Sequence, residues 1–123
     1  MKKRPVNLNF FTIRFPVTAW VSIAHRLSGV AVFLLIPVLL TMLQRSLTSE
    51  ESFWTLKSSL HAPMVMGGIW ILLAALVYHF IAGVRHLCMD VHIGDSKRGG
   101  RVGAWIVIVI SLLLFAGIGY YLW

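Results

Sequence analysis

The sequence predicts an all-α membrane protein with three transmembrane helices. Three observations carry that expectation. Apolar residues make up 59% of the 123 positions and charged residues only 12%, with a mean hydropathy of +0.84. Three apolar runs are each long enough to cross a bilayer. The basic residues gather at the ends of those runs. A soluble domain is nearer a quarter charged, so this chain has too little polar surface to coat a water-soluble fold.

A hydrocarbon core of ~30 Å takes about 20 helical residues at ~1.5 Å each. Residues 20–44, 64–89 and 102–123 meet that requirement. In lipid an open sheet leaves backbone groups unpaired and three segments cannot close a barrel, so the spans are helices. The length suits a single membrane-anchor domain over 1–123, with an N-terminal segment at 1–19. Lys2, Lys3 and Arg4 resemble the start of a signal peptide, but Asn7, Asn9, Arg14 and Pro16 break the stretch where its apolar core would stand, so no cleavable leader is expected. Residues 45–62 hold Ser46, Thr48, Ser49, Glu50, Glu51 and Lys57, a polar link with one interfacial turn around Phe53 and Trp54. Residues 90–101 hold Gly94, Asp95, Gly99 and Gly100 and read as a tight basic turn.

Orientation is set by the Lys/Arg bias. Lys2, Lys3, Arg4, Arg14, Arg26, Arg85, Lys97, Arg98 and Arg101 share one side of a three-pass chain, against Arg45 and Lys57 on the other. Nine against two puts the N-terminus and the second loop in the cytoplasm and Trp123 on the periplasmic side. Trp20, Trp54, Tyr120, Tyr121 and Trp123 fall near the expected interfaces, as aromatic belts do. The net charge of +7 is then a matter of topology and lipid headgroups rather than nucleic acid. The single cysteine, Cys88, excludes an internal disulfide and reads as a packing residue near a helix end.

Ionisable groups inside spans cost roughly 2.5–3.5 kcal/mol each at the bilayer centre, and this chain keeps two sets of them. Ser22, His25, Arg26, Ser28 and Gly29 stand near the start of the first helix. At 100° per residue Ser22, His25, Arg26 and Gly29 share a face. A hydroxyl, a titratable ring and a guanidinium fork beside a glycine suit a flat, carbonyl-bearing ring. They equally suit an Arg26 that snorkels to headgroups and a Ser22 that bonds back to its own helix.

The second set is Tyr78, His79, Gly83, Arg85, His86 and Asp90. His79 lies about 15 Å inside its helix end, at mid-membrane depth. A buried neutral imidazole is a good iron ligand, and Gly83 one turn on leaves room for a flat macrocycle. The alternative is a histidine hydrogen-bonded across a helix interface. His25 and His86 lie nearer the cytoplasmic surface, and His61 and His92 sit in loops. A second ligand to any metal at His79 would therefore come from another subunit. Three helices are also few for enclosing a macrocycle, so a hetero-oligomer is expected. Asp90 falls at a helix C-terminus, where the macrodipole disfavours it, and a salt bridge is the expected compensation.

No Walker loop, dinucleotide fingerprint, cysteine cluster or His-Glu-x-x-His appears. The chain alone carries no catalytic residues and no flavin or iron–sulfur site. A small transporter or holin-like protein remains a non-redox alternative, although a transporter is expected to carry a carboxylate inside a span and none is present.

The runs Arg4, Pro5, Val6, Asn7, Leu8, then Thr12, Ile13, Arg14, Phe15, Pro16, then Ser22 to Gly29 resemble the N-terminal signature of the succinate dehydrogenase cytochrome b subunit family, closest to its bacterial members. The segment Tyr78 to His86 with Asp90 after it resembles that family's second-helix signature. The resemblance implies a membrane anchor whose three helices form half of a heterodimeric helical bundle with a second small three-helix subunit, which holds one haem b between the two and docks an iron–sulfur subunit and a flavoprotein subunit on the cytoplasmic side of the inner membrane. Electrons from succinate then reduce ubiquinone. By the same resemblance His79 is the axial haem ligand, Ser22, Ile23 and Arg26 belong to the quinone site, and His25 and Arg26 lie near the haem propionates. His86 and Asp90 match the motif without an implied role. A fumarate reductase anchor, running the reverse direction, is the alternative within this class.

Overall fold

A computed structural model describes residues 15–122. The basic cluster of Lys2, Lys3, Arg4 and Arg14, the first signature run, and Trp123 lie outside the described residues. Four helices succeed one another: α1 (Val17–Thr48), α2 (Glu50–Ser59), α3 (Pro63–Asp90) and α4 (Lys97–Leu122). Among the described residues there is no strand. Helices α1, α3 and α4 are long and apolar enough to cross a membrane, so the chain is a multi-pass membrane protein. α1 packs on both α3 and α4, α3 packs on α4, and α2 rests against α1.

The link at 45–62 is more ordered than its polar composition suggests. It folds as the ten-residue helix α2. Ser49 caps it by accepting from the Ser52 amide at 3.1 Å. Glu50 and Glu51 stand in its first turn and Lys57 in its last, as the macrodipole favours. Lys57 lies over the Trp54 ring, its Nζ 4.8 Å from the centroid. A cap, end charges and pairs one turn apart build a helix here without an apolar run.

At the opposite end α3 closes in a Schellman motif. His92 takes the left-handed position with φ 63°, the Ile93 amide donates to the Cys88 carbonyl at 2.8 Å, and the His92 amide donates to the Met89 carbonyl at 3.0 Å. Asp90 is the last residue of α3, and among the described residues it has no ion-pair partner; Asp95 instead pairs with His92 at 3.1 Å. α4 begins at Lys97, earlier than the apolar run at 102–123. Ser96 supplies the reason, since its Oγ accepts from the Gly99 amide at 3.0 Å. The basic turn thereby shrinks to residues 91–96, and Lys97, Arg98 and Arg101 belong to the helix. A side chain at Gly99 would lie 3.0 Å from the Gly94 backbone, which explains a glycine where the loop presses on α4.

The buried core is small: Val21, Ala82, Ala104 and Val107. Most large apolar side chains face outward, Phe33 at 70% and Leu34 at 64% exposure among them. In lipid no hydrophobic gain favours burying leucine, so small residues bring the helices close enough for dispersion and hydrogen bonds to hold them. Pro37 sits inside α1, a position tolerated in membrane helices where nearby groups re-satisfy the backbone.

Candidate functional site

The α1–α3 seam gathers the polar groups that both sets of intramembrane residues contribute. From α3, Tyr78 Oη donates to the Val21 carbonyl at 3.1 Å. One residue on, Nδ1 of His79 lies 3.2 Å from the His25 carbonyl and 3.2 Å from Ser28 Oγ. Ser28 is buried at 8% exposure and donates to the same His25 carbonyl at 2.8 Å. A carbonyl only accepts, so Nδ1 of His79 is the donor and carries the ring proton. Its Nε2 then keeps the lone pair, and no hydrogen bond among the described residues engages it.

His25 inserts between the two imidazoles of α3. Its ring stacks on His79 at 4.4 Å and 16° and on His86 at 4.8 Å and 30°. The three rings form one column. Gly29 is required for this packing, and Gly83 lies in ordinary contact with it from the facing helix. A Cβ on Gly29 would meet His79 Cε1 at 2.9 Å, and a Cβ on Gly83 would meet His25 Nε2 at 3.6 Å. An imidazole of the facing helix lies over Gly29 and touches the space at Gly83. Helices that approach this closely put facing side chains directly over the missing Cβ atoms. His25 Nε2 is buried and without a hydrogen-bond partner among the described residues.

The polar stripe on α1 divides. His25 and Gly29 turn toward α3, and Ser28 joins them. Ser22 is half-buried, while Ile23 and Arg26 are exposed. His25 and His79 are therefore brought together, whereas Ile23 and Arg26 point away from this chain's interior. Arg85, one of the basic groups near the C-terminal end of α3, is committed elsewhere: its Nη2 donates to the Gly100 carbonyl at 3.2 Å, and its side chain covers Gly103.

Two residues gain importance that spacing alone did not assign. His86 completes the column; its place on the same face as His79 was visible, but nothing in the sequence showed that His25 would enter between them. Ser28 stands three positions after His25, the spacing at which a serine hydroxyl reaches its own helix backbone. That spacing is the signal that points to it.

As a donor set, the seam offers one imidazole nitrogen with a free lone pair at mid-span depth, a second buried imidazole nitrogen awaiting a partner, and an exposed guanidinium one residue along α1. The set carries no nucleophile–base pair, and among the described residues no group of three or more His, Cys, Asp or Glu could hold a metal ion. Chemically, such a set can offer one imidazole nitrogen to a metal held largely by other groups and a guanidinium fork to an oxygen-bearing ligand.

Comparison with known proteins agrees on a family. Residues 1–118 match the family described as succinate dehydrogenase/fumarate reductase transmembrane subunit. The sequence is 39% identical over 122 residues to the succinate dehydrogenase cytochrome b556 subunit of Coxiella burnetii, covering 98% of both chains. It is 29% identical to the subunit of the same name in Paracoccus denitrificans, over 91% of this chain and 92% of that one. The subunit of the same name in Rickettsia typhi is also 29% identical, over 91% and 87%.

Proposed function

Because this chain belongs to the family of succinate dehydrogenase/fumarate reductase transmembrane subunits, we propose that it is the cytochrome b anchor of a succinate dehydrogenase. In this reading His79 holds haem b and Ser22, Ile23 and Arg26 help to form the ubiquinone site. The Coxiella, Rickettsia and Paracoccus relatives are cytochrome b556 subunits of succinate dehydrogenase, which favours that direction over fumarate reduction. Family membership also removes the transporter or holin-like alternative.

The observation that carries the reading is the bond from His79 Nδ1 to the His25 carbonyl at 3.2 Å. A metal-ligating histidine almost always donates its other ring N–H to a carbonyl, carboxylate or water, which fixes the tautomer and raises ligand basicity. His79 already meets that condition, and its depth suits a buried macrocycle. The residues present fit a haem: His79 Nε2 would hold its iron, and the exposed Arg26, with His25 beside it, would lie near its propionates as the family resemblance implies. When bound, the haem supplies a one-electron carrier inside the membrane.

The remaining roles rest on the chemistry of this chain's own groups. Ser22 and the Arg26 fork can donate to a quinone carbonyl and stabilise negative charge developing on it. Ile23, exposed beside them, offers an apolar wall. The exposed outer face of α1, with Leu27 at 65% and Phe33 at 70%, suits helices of the second small three-helix anchor subunit, which would supply the opposite haem ligand. An iron–sulfur subunit and a flavoprotein subunit would dock at the basic, cytoplasmic side of the bacterial inner membrane. Quinone protons would then come from that aqueous phase.

Purification of the complex in mild detergent, with an absorption spectrum, tests partners and pigment together. Expected are co-purifying soluble subunits and a b-type haem spectrum that His79→Ala abolishes. An unaltered spectrum in that variant would remove His79 as a ligand.

A further inference from the structure

We propose that Ser28 is a positioning residue that fixes the imidazole of His79 in the one tautomer able to ligate iron; the inference rests on the reading of His79 as the haem ligand. The hydroxyls elsewhere on α1 set the contrast. Thr41, Ser46 and Thr48 are bonded back to their own helix at 2.7–2.8 Å, the ordinary fate of a hydroxyl in a membrane helix. Ser28 makes that same local bond, to the His25 carbonyl at 2.8 Å, and it also makes a second contact across the seam, 3.2 Å from His79 Nδ1.

The local bond decides what the second contact can be. A serine hydroxyl has one proton and two lone pairs. With its proton given to His25, Ser28 can offer His79 only a lone pair. The His25 carbonyl, also 3.2 Å from Nδ1, offers only lone pairs as well. Nδ1 therefore faces two acceptors. The Nδ1–H tautomer satisfies both in a shared bond. The opposite tautomer would aim a third lone pair at them and leave Nδ1 facing two acceptors with no donor between them. Two acceptors on Nδ1–H also push electron density toward Nε2, which strengthens it as a ligand to ferric iron. The contact of His79 Cε1 with Gly29 leaves the ring little room to turn away.

The test uses the assembled complex and a pair of near-isosteric variants, Ser28→Val and Ser28→Thr, which differ in the hydroxyl. Ser28→Val should hold haem about tenfold more weakly, in line with the loss of an outer-shell partner. Its haem midpoint potential should move to a more positive value, and the electron paramagnetic resonance signal of the ferric haem should shift. Ser28→Thr should return all three to the native values. Ser28→Ala, smaller and free of clash, gives the same comparison should the valine variant fail to assemble. Identical haem affinity, potential and resonance signal in the hydroxyl-free and hydroxyl-bearing variants would overturn the positioning role. With His79→Ala alongside, that result leaves the ligand reading standing if the alanine variant loses its haem. A His79→Ala complex that keeps its haem overturns the ligand reading and the role of Ser28 with it.

Discussion

Toward α1, helix α3 presents Tyr78, His79 and His86, and these meet backbone carbonyls, a serine hydroxyl and a third imidazole. Toward α4 the same helix presents an almost wholly apolar surface. There Trp70 covers Gly119 and packs edge-on against Phe115. A single side-chain hydrogen bond, from Arg85 to the Gly100 carbonyl, spans that interface among the described residues. An apolar groove of about 460 Å³, walled by Ile81, Val84, Cys88 and Ile106, is left open on it. Two interfaces of one helix thus solve different problems. In lipid, polar contacts between helices are worth having but not obligatory, and α4 is held with almost none. Their concentration on the α1 side, at the cost that ionisable groups carry in a membrane, is what makes that seam the candidate site.

The strongest test of this contrast adds a side chain at a single glycine. Gly29→Val places a Cβ 2.9 Å from His79 Cε1, and the imidazole itself must give way. Overpacking of this kind costs about 1–3 kcal/mol, here charged directly to the candidate ligand. Loss of the b-type spectrum and reduced recovery of the soluble subunits are expected. Gly117 lies on α4, where an added Cβ meets nothing within 4 Å, and Gly117→Val should leave both readouts at native levels. Equal damage from the two variants would mean that any bulk added at a glycine harms the bundle, and the α1–α3 seam would lose its special standing.

Arg26 sharpens the comparison from outside the seam. It shares a helix turn with His25 but is exposed, so its removal should spare the imidazole column. Arg26→Ala is expected to lower quinone reduction by roughly 10–100-fold, the worth of a hydrogen bond from a charged donor. Succinate oxidation measured with an artificial acceptor should hold within about twofold, since that assay bypasses interactions made only with quinone. Equal loss of both activities would mean that Arg26 supports assembly instead.

The three spans were legible because hydropathy and length are sufficient for a membrane helix: α1 and α3 contain the runs 20–44 and 64–89, and α4 contains the run 102–123 as far as the described residues reach. α2 was not legible as a helix, since Ser49, Glu50, Glu51 and Lys57 stabilise it through caps and end charges that an apolar count ignores. The start of α4 was hidden for the same reason, its first turn being capped by Ser96 and crowded with cations. Within the site, periodicity singled out His25, Gly29, His79 and Gly83. It could not show that each glycine is covered by the other helix's imidazole, because spacing along one helix carries no information on its rotation against another. Ser28 fell off the counted face for that reason, although it is the hydroxyl that touches both histidines.

The smallest expected effect separates support from chemistry inside the α1–α3 seam itself. Tyr78 and His79 are adjacent, and each reaches a carbonyl of α1 one turn apart, so both could be mere fasteners. Tyr78→Phe removes only the hydroxyl that bonds the Val21 carbonyl at 3.1 Å and keeps the ring. The carbonyl stays within α1's own ladder, so no acceptor is left bare. Hydrogen bonds between membrane helices average about 0.6 kcal/mol. The expected result is a slight fall in the temperature at which the purified complex loses its haem absorbance, with the spectrum itself unmoved. A spectral change as large as that of His79→Ala would mean that the whole carbonyl-bonded ladder, rather than one imidazole within it, determines the ligand field.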